Sequence, residues 1–251
     1  NRRCFQTFRM EVLMDYLALV KEKEDEQNAL DKRMQQDSDL VYLKPYVMTD
    51  FKDRKVPDIV NVTLNKPAVF AAHVISALQA TTQQTIVESN QHNLDTHEVE
   101  DFQDLAFSSA NQRLRRRNQS TLNDFSDKQF CLRGRMARRV IFRMEDNTLI
   151  PDITSWDGRN VFFDIGSDGL KWAANRTTRS KAAIEAEYGI MVKGREGRVL
   201  DVWDANHNEV WIDSIKELEQ EHWYGEVPVV VQLVPMGYGS SLLDKDRIKY
   251  E

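Results

Sequence analysis

Cysteine is scarce in this chain, and long apolar runs are missing. Its 251 residues include only Cys4 and Cys131, which are too few for a disulfide framework and too far apart in sequence for a CxxC motif. We therefore expect both thiols to be reduced. The longest apolar stretch, Val227–Val234, is interrupted by Pro228 and Gln232 and falls well short of the roughly 20 residues that a membrane-spanning helix needs. The sequence therefore predicts no association with a membrane.

Signatures of common catalytic and cofactor sites are also missing. No GxSxG sequence positions a serine, and no Lys-Ser/Thr pair follows the GSDG and GREG segments to meet phosphate and metal. His92 and His97 are five positions apart, so they do not share a helix face as HExxH ligands do, and with Asp95 and Glu98 they are typical of a polar loop. The sequence predicts a protein that is not an enzyme and that holds no cofactor or metal.

Carboxylate pairs are present, at Asp201 with Asp204 and at Glu185 with Glu187, and such pairs can perform acid–base catalysis. Because 29% of the residues are charged, pairs of this kind are expected by chance. A hydrolase of unrecognised type stays an alternative, and it would require a pocket that holds a carboxylate or histidine of perturbed pKa.

Charge is distributed unevenly along the chain. The net charge is −6, which argues against a protein whose whole surface coats nucleic acid. The stretch Arg113–Arg143 is nevertheless strongly basic, whereas Glu22–Glu26 and Glu209–Glu226 are acidic. Opposite patches on one subunit suit self-assembly, in which the basic side of one copy meets the acidic side of the next. The candidate nucleic-acid-binding residues are Arg113, Arg115, Arg116 and Arg117, and the alternative is a solvated helix end whose cations face the negative end of the helix dipole.

The first half of the chain reads as mainly helical. Apolar periodicity predicts one or two helices over Phe5–Met34, a loop over Lys44–Pro57, and a strand over 60–64, where apolar residues alternate. Asn65 and Pro67 open the next helix. Its core face is predicted to carry Val69, Phe70, Val74 and Leu78. Two further helices are expected, one capped by Thr96 and ending in the RLRRRN segment, the other capped by Ser120 or Thr121.

The second half reads as β-rich. Alternation predicts strands at 140–144, at Val161–Ile165 and, after the Gly166–Gly169 turn, at 170–175, where Lys171, Ala173 and Asn175 would form a wet face. Ser180 and Gly189 then cap a short helix. A hairpin follows at 199–213, with Trp203 packing across the strands on Trp211, and a last helix is expected to begin at 242–251.

These elements predict an α+β fold, with a helical N-terminal half followed by a mostly antiparallel β-rich region. We expect a mainly helical part over residues 1–140 and a β-rich part over residues 141–251. The chain has no Met at its start and its last predicted helix has no stop signal, so we expect it to be part of a longer protein.

Three segments follow one another in the order TSWDGRNVFFDIGSDGLKWAANRTTRSKAAIEAEYG, VLDVWDANHNEVWID and VPVVVQLVPMGYGSSLLDKDRIKYE, and VPDIVNVTLNKPAVFAAHVISAL lies upstream of them. This order resembles the N-terminal, wing-region half of tailed-bacteriophage portal proteins, and the upstream segment resembles the entry to the wing. The resemblance spans most of the chain. The stem, clip and crown of that family would follow Glu251.

The resemblance implies a structural virion protein without catalytic activity, assembled in the host cytoplasm. Portal subunits form a homo-oligomeric ring, typically a dodecamer, at one capsid vertex, through which viral double-stranded DNA is packaged and ejected. The implied partners are the major capsid protein, the terminase and the head-tail adaptor. The alternative function is a non-catalytic nucleic-acid-binding module that uses the basic region Arg113–Arg143, and its binding would weaken steeply with salt.

Overall fold

Within the described residues, four of the five α-helices begin at a residue whose side chain caps them. The computed structural model describes residues 15–81, 86–88, 95–233, 235–236 and 240–241. The Asp15 carboxylate accepts a hydrogen bond from the N–H of Ala18, and Ser180 does the same for Ala183, whereas Gly189 ends the last helix in the left-handed conformation. The helices are α1 (Tyr16–Val41), α2 (Lys66–Ala80), α3 (Thr96–Arg116), α4 (Leu122–Arg133) and α5 (Lys181–Tyr188).

The strands form antiparallel sheets. A three-stranded sheet has the order β2-β1-β8, and a five-stranded sheet has the order β3-β4-β5-β6-β7. A short pair joins β9 to β10. The strands are β1 (Arg135–Glu145), β2 (Thr148–Trp156), β3 (Val161–Gly166), β4 (Gly169–Ser180), β5 (Glu196–Asp204), β6 (His207–Ile212), β7 (Ile215–Glu221), β8 (Val229–Leu233), β9 (Pro235–Met236) and β10 (Ser240–Ser241).

The two larger sheets pack face to face, and helices cover their outer faces. Between the sheets, Trp156 and Ala137 of the three-stranded sheet meet Ala173 and Trp203 of the five-stranded sheet. The N-terminal part of α1 covers the other face of the five-stranded sheet, and α3 and α4 cover the three-stranded sheet. The predicted α+β class, with helices first and antiparallel strands after them, is confirmed.

The second half of α1 is joined to α4 by a buried arginine. Met34 is fully buried, and its carbonyl accepts a hydrogen bond of 2.5 Å from a guanidinium nitrogen of Arg133. The same nitrogen donates to the hydroxyl of Ser38 over 2.6 Å. A buried guanidinium needs such partners, because an unpaired charge away from water is costly.

Two local predictions about packing are wrong. The face of β4 that was predicted to be solvent-exposed is buried at Ala173, which is fully buried, and at Asn175, which is 7% exposed. The three-stranded sheet covers this face. Trp203 lies opposite Asn208, and Trp211 lies opposite Leu200, so the two indoles occupy opposite faces of the hairpin. The hairpin itself is confirmed.

Near α2, the predictions of a strand and of a core face are wrong, and in both cases apolar residues are more exposed than predicted. Residues 60–64 form no strand, and Val60 and Val62 are largely exposed. The predicted core face of α2 carries Phe70, which is 71% exposed. The predicted start of α2 after Asn65, with Pro67 in the first turn, is confirmed, but the Asn65 side chain forms no capping hydrogen bond. In this part of the chain, apolar periodicity is present, but within the described residues these apolar side chains stay largely exposed.

Other boundaries differ by small amounts. The residue before α3 is Asp95, whose carboxylate accepts from the N–H of His97, so Thr96 begins the helix instead of capping it. Thr121, one of the two predicted residues, caps α4. The first strand begins at Arg135, and the division of the chain at residue 140 stays a prediction. Residues 1–14, His92 and 242–251 lie outside the described residues.

None of the helices within the described residues is both long and apolar enough to cross a membrane.

Candidate functional site

The C-terminal end of α3 carries four arginines that have no partner in the described part of the chain. Arg115, Arg116 and Arg117 are exposed and Arg113 is half-buried, and no carboxylate there lies within ion-pair distance of them. The backbone is fixed nonetheless. Leu114 packs against the cluster of Ala110, Leu122 and Ile153. The backbone N–H of Arg117 donates hydrogen bonds to carbonyl oxygens of the last turn of the helix. We call these four residues the basic end; they present free positive charge on an anchored turn.

The remaining arginines of the predicted basic region have partners within the protein. Arg135 donates to the carbonyl oxygen of Gly158 over 2.6 Å, and Arg138 donates to the hydroxyl of Ser126 over 2.7 Å. Burial lowers the pKa of Arg135 to about 10, so it stays charged at neutral pH. With Arg133 bonded to α1, the surface charge that the sequence indicated over Arg113–Arg143 is concentrated at the basic end.

Arg139 connects the two sheets through a buried network. Its guanidinium lies 3.0 Å from a carboxylate oxygen of Asp201 on β5 and 3.3 Å from one of Asp152 on β2, and its centre lies 5.5 Å from the centroid of the Trp203 ring. Asp201 also accepts from the indole N–H of Trp203 and from the amide of Asn208, both over 2.8 Å. Arg143 pairs with Asp152 as well. The Asp201 carboxylate is therefore fully occupied by hydrogen-bond donors and is not free to act on a substrate.

Asp204, the other member of that predicted carboxylate pair, fastens α1 to the sheet. The hydroxyl of Tyr16 donates to it over 2.6 Å, and the backbone N–H groups of Asn206 and His207 donate over 2.7 Å and 2.6 Å. Burial raises the pKa of Asp204, but these hydrogen bonds outweigh burial and hold the pKa below its ordinary value of 3.8. Burial and this hydrogen bond both raise the pKa of Tyr16. The pair is a structural joint.

The remaining predicted chemistry is dispersed. Glu187 pairs with Arg179, and Glu185 is exposed on α5. His97 lies 3.4 Å from a carboxylate oxygen of Glu100. Among the residues that the structure describes, no three His, Cys, Asp or Glu side chains are grouped as a metal site would require.

Residues 42–70 expose large apolar side chains along their whole length, and we call this segment the apolar arm. Phe51 is 91% exposed, Val60 87% and Tyr42 73%. The other exposed apolar residues of the arm are Leu43, Tyr46, Val47, Met48, Ile59, Val62, Leu64, Val69 and Phe70. Isolated apolar residues are common on protein surfaces, whereas many exposed apolar residues within one segment are typical of an interaction surface.

The arm is ordered by its own polar groups. The N–H of Tyr46 donates to the hydroxyl of Thr63 over 2.9 Å, and the N–H of Met48 donates to the side-chain oxygen of Asn61 over 2.7 Å. At the tip, Asp50 accepts from the backbone N–H groups of Lys52 and Arg54. These bonds hold the two limbs of the arm together while its apolar side chains stay in solvent. A shallow depression at the tip is lined by Asp50, Arg54, Lys55, Val56 and Pro57.

Sequence reasoning missed the arm as a surface. Its apolar residues alternate or recur at helical spacing, which periodicity alone assigns to a core. The available signal was composition, because the stretch also contains three prolines and many charges between its apolar residues.

No protein-family model matches the chain, and no curated protein matches it significantly.

Proposed function

We propose that this chain is a subunit of a phage portal ring, a non-catalytic virion component at the capsid vertex through which viral double-stranded DNA is packaged and ejected. The observation that carries the proposal is the apolar arm, a surface that one copy of the chain leaves in water. The order of the segments in the β-rich half resembles that of portal wing regions, and this resemblance is the reason for proposing a portal ring as the assembly. In that assembly the major capsid protein, the terminase and the head-tail adaptor are the further partners.

The arm supports an assembly because its exposure is energetically unfavourable. Burying one large apolar side chain contributes about 1.5–3 kcal/mol. Phe51, Val60 and Phe70 are each more than two-thirds exposed, and the limbs that carry them are held by hydrogen bonds. A preorganised apolar surface loses little conformational entropy when a partner covers it.

The mechanism in such a ring is geometric. Each subunit presents one surface to the preceding copy and a different surface to the next, and a ring closes when the rotation between them divides a full turn. Subunit stiffness therefore matters. The Arg139 network between the sheets and the Arg133 contacts between α1 and α4 keep the layers at fixed positions. No residue of the subunit needs to break a bond in a substrate for this function.

The experiment is native mass spectrometry of the chain, followed by class averages of any large species in electron microscopy. We expect a closed ring with a central channel. A variant with Phe51→Ser, Val60→Ser and Phe70→Ser should lose the ring. A matched variant with Ile165→Ser and Met191→Ser, which are exposed outside the arm, should keep it. A wild-type chain that stays monomeric at every concentration would contradict the proposal.

The basic end favours a second candidate, a module that binds nucleic acid without catalysis. Four arginines without acidic partners in the described residues suit phosphate contacts. If all four neutralise phosphates of duplex DNA, the logarithm of affinity should fall against the logarithm of salt concentration with a slope of about −3.6. Binding by fluorescence anisotropy that is lost in Arg115→Ala/Arg116→Ala, and kept in the arm variant, would favour this candidate.

A further inference from the structure

The five-stranded sheet ends in an acidic strand whose charges are partly free. Strand β7 has β6 as its only strand neighbour among the described residues. Lys216 lies 3.2 Å from Glu209 and 2.9 Å from Glu219, so it neutralises those two carboxylates. Glu217 and Glu221 on β7 are exposed, and within the same residues neither forms an ion pair.

An exposed indole follows this strand in the sequence. Trp223 follows β7 closely and is 86% exposed. Its ring is the first of four in a row, in the order Trp223, Tyr224, His222 and the buried Trp203. Their successive centroid distances are 5.2, 5.1 and 5.4 Å. The stack connects the exposed ring to the core between the sheets. With the exposed Glu226, we call Glu217, Glu221, Trp223 and Glu226 the acidic edge.

The stack makes Trp223 suitable for binding. Tyr224 is held at its other end, because its hydroxyl donates to the carbonyl oxygen of Phe142 over 3.2 Å and lies 3.1 Å from the N–H of the same residue. An aromatic side chain that is rigid before binding loses little entropy on contact, and tryptophan is among the residues that contribute most to protein interfaces.

The basic end is the chemical complement of this surface. Guanidinium groups pair with carboxylates through two parallel hydrogen bonds, and they stack on indole rings. Within one subunit the two surfaces belong to different layers, because the basic end is part of the helices over the three-stranded sheet, whereas β7 is the edge of the other sheet. No ion pair or hydrogen bond joins them in the described residues.

We propose that the acidic edge of one copy binds the basic end of α3 of a second copy. The partner is a second copy because the chain itself carries both halves of the contact, unpaired and of opposite charge. The contact is head-to-tail, so it leaves a free acidic edge and a free basic end at the two extremities of any pair. It deepens the proposed ring and rests on it for its biological role, but two copies can make this contact without closing a ring.

The test is charge reversal followed by mixing. One variant carries Arg115→Glu and Arg116→Glu, and the other carries Glu217→Arg and Glu221→Arg. In sedimentation velocity at low salt, each variant alone should self-associate about tenfold or more weakly than wild type. In an equimolar mixture the unchanged acidic edge of the first variant can meet the unchanged basic end of the second, and the introduced glutamates can meet the introduced arginines, so association should be regained. Wild-type association should weaken as salt increases from 50 to 500 mM.

Trp223→Ala supplies an independent readout. It leaves every charge in place, and we expect it to weaken wild-type association and to reduce the recovery in the mixture. Matched controls are Glu185→Arg and Lys193→Glu, which reverse exposed charges outside both surfaces and should leave association unchanged. Circular dichroism of each variant shows that it is folded.

Failure of this contact and failure of the proposed ring are distinguishable. A ring that forms equally well in both reversed variants overturns the contact and leaves the ring standing. Association that is restored by mixing but produces only pairs or open chains supports the contact and removes the ring. Reversed variants that associate as wild type, or a mixture that stays monomeric, overturn the contact. Loss of DNA binding in the arginine variant without any change in association would assign the basic end to phosphate instead.

Discussion

Phe162 and Phe51 are the same side chain in opposite surroundings. Phe162 is fully buried on β3 beneath α1, whereas Phe51 is 91% exposed at the tip of the apolar arm. Among the described residues, the layered sheets bury apolar residues against one another, whereas the arm leaves its own exposed. Contacts within the chain therefore stabilise the sheets, and the arm is the surface for which we propose a partner.

The largest expected difference between the two regions comes from these two residues. Phe162→Ala should lower the free energy of unfolding by about 3–5 kcal/mol, because it removes apolar contacts and leaves a cavity. Phe51→Ala should change it by less than about 0.5 kcal/mol. Urea titration followed by tryptophan fluorescence measures both. Similar losses in the two variants would show that the arm is packed on its own subunit.

Arginines offer the same comparison with a smaller effect. Arg139→Met leaves Asp152 and Asp201 without their shared cation, and we expect a loss of about 3 kcal/mol, since breaking a buried pair strands a charge. Arg116→Met, at the exposed basic end, should change the free energy of unfolding by less than about 0.5 kcal/mol. If the two losses are equal, the network does not fasten the sheets.

The joint between α1 and the five-stranded sheet should show a pH signature. Because hydrogen bonds lower the pKa of Asp204 in the folded protein, its ionised form adds stability above the unfolded pKa, and this stability is lost as the pH falls through the folded pKa. Tyr16→Phe removes one of these bonds and should cost about 1.5 kcal/mol at pH 7. The difference between variant and wild type should shrink below about pH 4.

Denaturation at pH 7, 5 and 3 checks this. Tyr46→Phe is the matched control, because its side chain lies exposed in the arm, and it should have little effect at any pH. If Tyr16→Phe lowers the free energy of unfolding by the same amount at all three pH values, the contribution of Tyr16 does not depend on the ionisation of Asp204.

The sequence predicted the local structure better than the packing. Caps and turns depend on a few neighbouring residues, so Asn65, Thr121, Ser180 and Gly189 could be assigned from their positions. The buried second face of β4 could not, because it is covered by the three-stranded sheet, whose strands are distant in sequence.

The candidate surfaces show the same limit. The four arginines of the basic end could be identified as a cluster, but the sequence did not show that the arginines from Arg133 onward turn inward to carbonyls and carboxylates. Nor could it show that the apolar residues of the arm stay uncovered. Apolar periodicity predicts that a face will be covered, but it does not indicate whether the covering residues belong to the same molecule.

The smallest effect concerns the order of the arm itself. Asn61→Ala removes the acceptor of the Met48 N–H, which is one of the bonds between the two limbs. Because this bond is exposed, the global free energy of unfolding should change by less than about 0.5 kcal/mol. Local opening should become more frequent, and trypsin should cleave faster after Arg54 and Lys55 at the tip. Asn123→Ala, at an exposed position of α4, should leave that rate unchanged. Equal rates in Asn61→Ala and wild type would mean that the arm is not ordered by this bond, and its surface would then lose the preorganisation that makes it suitable for a partner.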